Sequence, residues 1–302
     1  MHNEEQSLPL LYDALVKTVK ELDSYEWEFL LVDDGSTDKT LEGLRKLQKT
    51  DHRVRYLSFS RNFGKEAALL AGFDAFDGDA LIPMDADLQH PPEVIPTMLQ
   101  FWEEGYDDVY ARRKDRNNEN FARRWASQFF YRLLQYSTSL DLLPNVGDFR
   151  LLDRRCVHAL KELKEHNRYT KGLFCWIGYR KKEIFFDCRE RVAGSSSWGF
   201  LSLLRLAING FLTFTILPLR VATFLGFCVS LLSFLYGLWV IIKTLRWGDP
   251  VTGFPTIMVS ILFLGGVQLL SLGIIGEYLG RIFEECKHRP NYIVAEQNGE
   301  KV

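Results

Sequence analysis

The chain has no charge of either sign to spare. Its 37 lysines and arginines nearly balance 39 aspartates and glutamates, leaving a formal net charge of −2. Such a balance gives no support to a nucleic-acid footprint, which needs a basic face. Cysteine is scarce: Cys156, Cys175, Cys188, Cys228 and Cys286 are odd in number and show no metal-ligand spacing. No secretory leader precedes the first domain, so a reduced, cytosolic setting is expected for residues 1 to about 200, with each cysteine a small buried hydrophobe.

Apolar side chains are plentiful and unevenly spread. Hydrophobic residues make up 47% of the chain and aromatic ones 14%, enough for a sizeable core in one large domain or two. Val221–Ile242 and Phe254–Ile275 are each 22 residues without a charge. As helices they reach about 33 Å, which crosses a hydrocarbon core of roughly 30 Å. Two buried helices of a soluble domain would show the same runs, but their tandem placement near one end favours a spanning hairpin over about 221–242 and 254–276. Ahead of it, residues 199–219 are apolar but broken by Arg205, Asn209, Gly210 and Pro218. Their charge-free part is too short to span and reads as an interfacial helix lying on the membrane surface. The connection Lys243–Gly253 carries Lys243 and Arg246, while Arg281, Lys287, His288 and Arg289 follow the second run. An even number of spans puts the polar tail on the same side as the large domain.

Residues 1–198 alternate strand and helix signals. Helices are expected over Leu8–Leu22, with Ser7 as N-cap, then over Lys39–Lys49 and Gly64–Phe76; strands over Glu28–Val32, Val54–Phe59 and the run that ends at Asp85. That alternation predicts an α/β fold with an open, largely parallel sheet, in which ligands bind beyond the carboxyl ends of the strands. Asp33-Asp34 and Asp85-Asp87 both fall at that edge.

The densest motif is Asp85-Ala86-Asp87-Leu88-Gln89-His90-Pro91-Pro92. If the strand stays extended, Asp85, Asp87 and Gln89 share one face and aim three oxygens at one point. Hard cations such as Mg²⁺ or Mn²⁺ take such ligands. An acidic pair at a turn is also a common solvated loop, so the whole segment, not the pair, carries the metal reading. Downstream, Arg112, Arg113, Lys114, Arg116, Arg123 and Arg124 form a basic stretch. Such a stretch is either a solvated face or a place where guanidinium forks meet phosphate.

Five motifs in order carry a family resemblance: Asp33-Asp34-Gly35-Ser36 with Asp38 and Thr40, Arg61-Asn62-Phe63-Gly64-Lys65-Glu66, the Asp85–Glu93 segment, Asn145-Val146-Gly147-Asp148-Phe149-Arg150-Leu151, and Gly276-Glu277-Tyr278-Leu279-Gly280-Arg281. Together with the hairpin they resemble the family 2 glycosyltransferases of the polyprenyl-phosphate (bactoprenol) glucosyltransferase type, related to dolichol-phosphate mannose synthases. The resemblance implies a GT-A fold and inverting transfer of a hexose, glucose first among candidates, from a UDP-sugar to undecaprenyl phosphate at the cytosolic face of the plasma membrane. It implies a Mg²⁺ or Mn²⁺ held by Asp85, Asp87 and Gln89, and catalytic roles for Asp85, Asp87 and Asp148. Glu4, Asp33, Asp34, Lys65 and Asp85 would bind the nucleotide sugar. Arg112, Arg123, Ser127 and Arg150 would bind the acceptor phosphate. A multi-pass protein with both termini cytosolic, and a homo-oligomer up to a tetramer, are implied as well.

Two departures stand out. Gly194-Ser195-Ser196-Ser197-Trp198 has Ser197 where the family carries a lysine, and the apolar strand and proline expected before Asn3-Glu4-Glu5 are missing, so an upstream strand or an empty slot in the sheet is anticipated. Glu277 and Arg281, one turn apart, read as an interfacial ion pair or, with Gly276 and Gly280, as a helix–helix contact. A processive synthase is disfavoured, since no Gln-x-x-Arg-Trp occurs. A non-catalytic membrane scaffold with a degenerate transferase domain is the alternative of another class, and the intact Asp85/Asp87/Gln89 set argues against it. The motifs leave N-acetylglucosamine and galactose open beside glucose.

Overall fold

Short strands with one buried face set the frame. In the computed structural model, which describes residues 1–113, 146–187, 215, 217–247 and 253–302, strand β1 (Phe29–Asp33) buries Phe29, Leu31 and Asp33 alternately. Helix α1 (Ser7–Val19) precedes it, and helix α2 (Thr40–Thr50) connects it to strand β2 (Val54–Phe59). The two strands pair in parallel from Phe29↔Val54 to Asp33↔Ser58. Leu8 and Val19 of α1 and Leu44 of α2 pack on Phe29, Leu31, Val54 and Tyr56 to close one core. Ser7 lies inside α1 and does not cap it; its hydroxyl donates to the Glu4 carboxylate.

After helix α3 (Lys65–Asp74) comes a second sheet. Its strands are β3 (Ala80–Leu81), β4 (Asp108–Arg113), β5 (Val146–Asp153) and β6 (Lys181–Phe186), in the order β3-β5-β4-β6. Helix α4 (Ile95–Glu103) lays Ile95, Met98 and Leu99 on Val109, Phe149, Leu151 and Ile184. Helices α5 (Arg154–Glu162) and α6 (Thr170–Trp176) follow β5. The expectation of one largely parallel sheet is corrected here. Among the described residues β1–β2 and β4–β6 are the parallel pairs, while β5 runs antiparallel to both β3 and β4. β3 also stops at Leu81, short of Asp85; Pro83 has no N–H with which to continue a ladder.

Two further segments are apolar helices: α7 (Leu217–Trp247) and α8 (Phe254–Cys286), of 31 and 33 residues. Each contains a stretch long and apolar enough to cross a membrane, Pro218–Tyr236 and Phe263–Cys286. Phe224 and Leu269 are 67% and 72% exposed, as helices facing lipid require. Within this unit Tyr278 donates to the Thr215 carbonyl at 2.7 Å, and Arg281 pairs with Glu277 at 3.2 Å.

The chain divides into two units, Met1–Thr213 with Pro290–Val302, and Phe214–Arg289. The polar tail therefore belongs to the α/β unit. Strand β7 (Val294–Gln297) adds antiparallel to the free edge of β2, extending that sheet to β1-β2-β7-β8. Asn298 and Gly299, at φ 49° and 90°, turn it into β8 (Glu300–Lys301), the left-handed pair that a two-residue hairpin needs.

Candidate active site

The turn after β1 is built to hold the loop after β2. Asp33 is buried and accepts from Ser36 N at 3.1 Å and from the Ser58 hydroxyl at 2.7 Å. Asp34, also buried, accepts from Phe63 N at 2.7 Å and Gly64 N at 2.9 Å. Between this turn and the loop sits Gly35, at φ +65°, where a Cβ would lie 2.3 Å from the Arg61 carbonyl carbon; no other residue fits so close an approach. These contacts deliver Lys65 as the first residue of α3.

The first residues of the chain are tied to the same turn. Met1 N donates to Val32 O and Asp34 N donates to Met1 O, each at 2.8 Å. Asn3 accepts from Thr37 N, and Glu4 N donates to Thr40 Oγ1 at 2.8 Å. Three residues expected to meet the nucleoside are thus engaged within the chain: Asp33 and Asp34 with main-chain and hydroxyl donors, Glu4 with the Ser7 hydroxyl.

The Asp85 segment does not stay extended. It turns at residues 86–88, with Leu88 at φ +60° and Asp87 accepting from Gln89 N at 3.1 Å. The alternation that would put Asp85, Asp87 and Gln89 on one face is broken. Gln89 Oε1 accepts instead from Arg113 at 3.1 Å. Behind the turn, buried His90 stacks on Phe149 with centroids 4.9 Å apart, and its Nδ1 faces Asp85 N at 3.4 Å. Burial lowers the His90 pKa below its ordinary value, against the pull of Asp85 and Asp87.

Asp148 reaches the same place from β5, buried. The Lys65 ammonium stands 2.6 Å from Asp85 Oδ1 and 2.7 Å from Asp148 Oδ2. One cation therefore joins three motifs that lie apart in the sequence. Burial alone would lower the lysine, but Asp148 and Asp85 outweigh it and the pKa ends above the ordinary lysine value. Burial likewise pushes the Asp85 carboxyl up, and Lys65 overcomes it, so Asp85 titrates below its usual range. Beside Lys65, Glu66 accepts from Thr170 N at 2.9 Å and from its hydroxyl; burial raises its pKa despite both bonds.

By chemistry Asp85, Asp87 and the Gln89 amide are hard-oxygen donors of the kind that suits Mg²⁺ or Mn²⁺, but the turn does not bring them to one point. Among the described residues no three His, Cys, Asp or Glu side chains are grouped as metal ligands. Joint ligation by Asp85, Asp87 and Gln89 is not the arrangement of this turn, in which Gln89 meets Arg113 and Asp85 meets Lys65.

The expected acceptor set is only partly placed. Arg112 pairs with Glu183 across β4 and β6 at 2.9 Å. Arg150 is buried, donates to Asp108 at 2.9 Å and to Gly147 O at 3.2 Å, and lies 3.8 Å over the Phe174 ring. Its guanidinium is thus engaged within the protein. A buried guanidinium needs a buried counter-ion, and Asp108 supplies it. Arg123 and Ser127, and the run containing Ser197, lie outside the described residues.

Comparison with known proteins gives a consistent set of likenesses. The family description "Glycosyl transferase family 2" matches residues 1–160, and "GtrB C-terminal hairpin" matches residues 217–282. The chain is 46% identical over 292 residues to a bactoprenol glucosyl transferase of Shigella phage SfV, covering 97% of this chain and 95% of that protein. It is 46% identical over 297 residues to the putative glycosyltransferase CsbB of Bacillus subtilis, covering 98% and 90%. An uncharacterized glycosyltransferase of Synechocystis, sll0501, is 46% identical over 296 residues, covering 98% and 93%.

Proposed function

The chain belongs to glycosyl transferase family 2, and from that premise we propose that it transfers a hexose, glucose in the first instance, from a UDP-sugar to polyprenyl phosphate. The phage relative, named for glucosyl transfer to bactoprenol, supports the acceptor and the sugar. The observation that carries the reading is the ammonium of Lys65 held between Asp85 and Asp148. It brings opposite charges from three motifs together at the edge where α/β folds bind nucleotides.

Sugar transfer with inversion needs a nucleophile opposite the departing diphosphate and stabilisation of the charge that develops on it. Asp85, Asp87 and Gln89 would hold a divalent cation, which when bound neutralises the leaving diphosphate. Lys65 adds a positive charge from the N-terminus of α3, whose own dipole favours anions. Asp148 orients Lys65 and faces the sugar. The acceptor phosphate is already largely ionised near neutral pH, its second pKa being about 6, so positioning rather than strong base catalysis carries the acceptor side. Arg123 and Ser127 are proposed to position it.

The enzyme is proposed to work at the cytosolic face of the plasma membrane, with α7 and α8 as its two spans and both termini cytosolic. Pairing of β7 with β2 supports a tail on the catalytic side. A homo-oligomer, up to a tetramer, is part of the same proposal. The test is incubation of the purified chain with undecaprenyl phosphate and a panel of UDP-sugars, with products identified by mass spectrometry. Lipid-linked hexose formed with Mg²⁺ and lost with chelator is expected. UDP-sugar turnover without any lipid product would overturn the acceptor.

A further inference from the structure

We propose that Glu66 is a positioning residue: by capping α6 it clamps the first turn of α3 and so fixes the Lys65 ammonium between Asp85 and Asp148. The inference rests on the reading of Lys65 as a cation for the donor's diphosphate, and names what holds that cation in place.

A glutamate in the first turn of a helix gains a little from the helix dipole and ordinarily faces water. Glu66 instead reaches across 104 residues of sequence to Thr170, the first residue of α6. Thr170 N donates to it at 2.9 Å, and the Thr170 hydroxyl donates to the same oxygen. The N–H groups that open a helix have no partner inside it, and α6 has no side-chain cap at Tyr169. Glu66 fills that place from another element. Thr170 is fully buried, and its hydroxyl also accepts from Arg168 Nε at 3.2 Å. Arg168, buried too, donates to the Leu160 and Leu163 carbonyls at the end of α5 and lies 5.7 Å over the Phe73 ring of α3. Phe73 in turn meets Phe174 of α6 edge-on at 6.3 Å. A polar relay and an aromatic contact thus tie α3 to α6.

The other side of Lys65 is fixed as well. Asp34 accepts from Phe63 N and Gly64 N, so anchors stand directly before and directly after the lysine. Lys65 carries a four-carbon stem, and its ammonium is disfavoured by the dipole at this end of a helix. Its contacts of 2.6 and 2.7 Å therefore need the backbone beneath them held. Without Glu66 the turn would be held on one side only, next to Gly64 at φ +97°, and the ammonium would lose its fixed place.

The test is a double-mutant cycle on the full-length chain in detergent, read as UDP affinity by calorimetry with melting followed in parallel. Lys65→Gln removes a charge-assisted contact and is expected to weaken UDP binding about tenfold. Glu66→Ala is expected to weaken it about fivefold alone, and by no more than about twofold in the Lys65→Gln background. Its effect on melting should be the same in both backgrounds, because the cap is lost in both. Thr170→Val keeps the shape and the N–H bond, so it carries the same cycle through a milder change, and Thr170→Ser should restore the affinity. Equal weakening by Glu66→Ala in both backgrounds would make its role merely structural and overturn the inference, as would natural affinity in a folded Glu66→Ala chain. No UDP binding by the natural chain, or equal binding by Lys65→Gln, would overturn the reading of Lys65 and the role of Glu66 with it.

Discussion

Glu296, on the strand that follows the second apolar helix, accepts from Arg45 of α2 at 2.8 and 2.5 Å and from the Tyr56 hydroxyl at 2.5 Å. Its neighbours complete the join. Tyr292 stacks on Phe59 at 5.1 Å and donates to Asp74, and Asn298 accepts from Tyr56 N at 2.9 Å. The C-terminal residues are thus a working part of the α/β unit.

The first prediction follows from that join. Glu296→Gln keeps the shape and removes the charge, so the Arg45 and Tyr56 donors lose their ionic partner. A loss of about 1–2 kcal/mol is expected, allowing for the half-exposed arginine, or a melting temperature lower by about 2–8 °C. Unaltered melting would mean the pair contributes nothing.

The second concerns acid. Hydrogen bonds from Arg45, opposed by burial and helped by Tyr56, hold the Glu296 carboxyl at about 2. A group depressed in the folded state stabilises above its ordinary value near 4.5 and loses that contribution as pH falls toward 2. The natural chain should therefore lose stability more steeply than Glu296→Gln between those two values. Parallel curves from thermal melts across that window would contradict the assignment.

How much of this could be read from residues alone depends on which forces placed them. β1 and β2 were legible because a short apolar run between polar turn residues reads as a strand locally. β7 was not: Val294-Ala295-Glu296-Gln297 is half polar, and it becomes a strand because the β2 edge offers main-chain partners and Arg45 a counter-ion. Asp33 and Asp34 show the same limit at the site. The acidic turn was evident, but whether a carboxylate faces a ligand or its own loop is set by Gly35 bringing residues 61–62 close. The turn at Leu88 likewise breaks an alternation that the residue pattern allowed.

The third prediction separates structure from acceptor binding at Arg150. Arg150→Met leaves Asp108 buried without a partner and should cost about 3–5 kcal/mol. Replacing both, Arg150→Met with Asp108→Leu, should recover most of that loss. If Arg150 is purely internal, the double variant keeps the KM for polyprenyl phosphate of the natural chain. A KM raised tenfold in the recovered fold would return Arg150 to the acceptor.

The fourth tests the metal ligands. Asp85→Asn and Asp87→Asn change a partly exposed turn and not the core. Each should lower kcat/KM on the order of a hundredfold or more, the scale of losing one charge-stabilising group, with melting little changed. Near-natural turnover in both, in the presence of chelator, would remove the metal from the reaction.

The last prediction is the membrane topology. β7 pairs with β2 over Leu57↔Gln297, Ser58↔Glu296 and Phe59↔Val294, so the C-terminal residues lie on the same side as the α/β unit. Between that unit and its own last strand the chain makes two apolar helices, each with a stretch long enough to span. Two crossings return the chain to its starting side, which leaves the connection around Gly253 as the part exposed on the other face. Gly253 tolerates a side chain, since a Cβ there meets only Ile257, at 3.8 Å. Cys286 ends α8 and is exposed, so it serves as the internal reporter for the tail side. In a chain whose remaining cysteines are replaced by alanine, an impermeant maleimide added to intact cells should label Gly253→Cys and spare Cys286. Cys286 should react only after permeabilisation. The reverse order would put the α/β unit outside, and labelling of both in intact cells would mean that the two helices do not both cross.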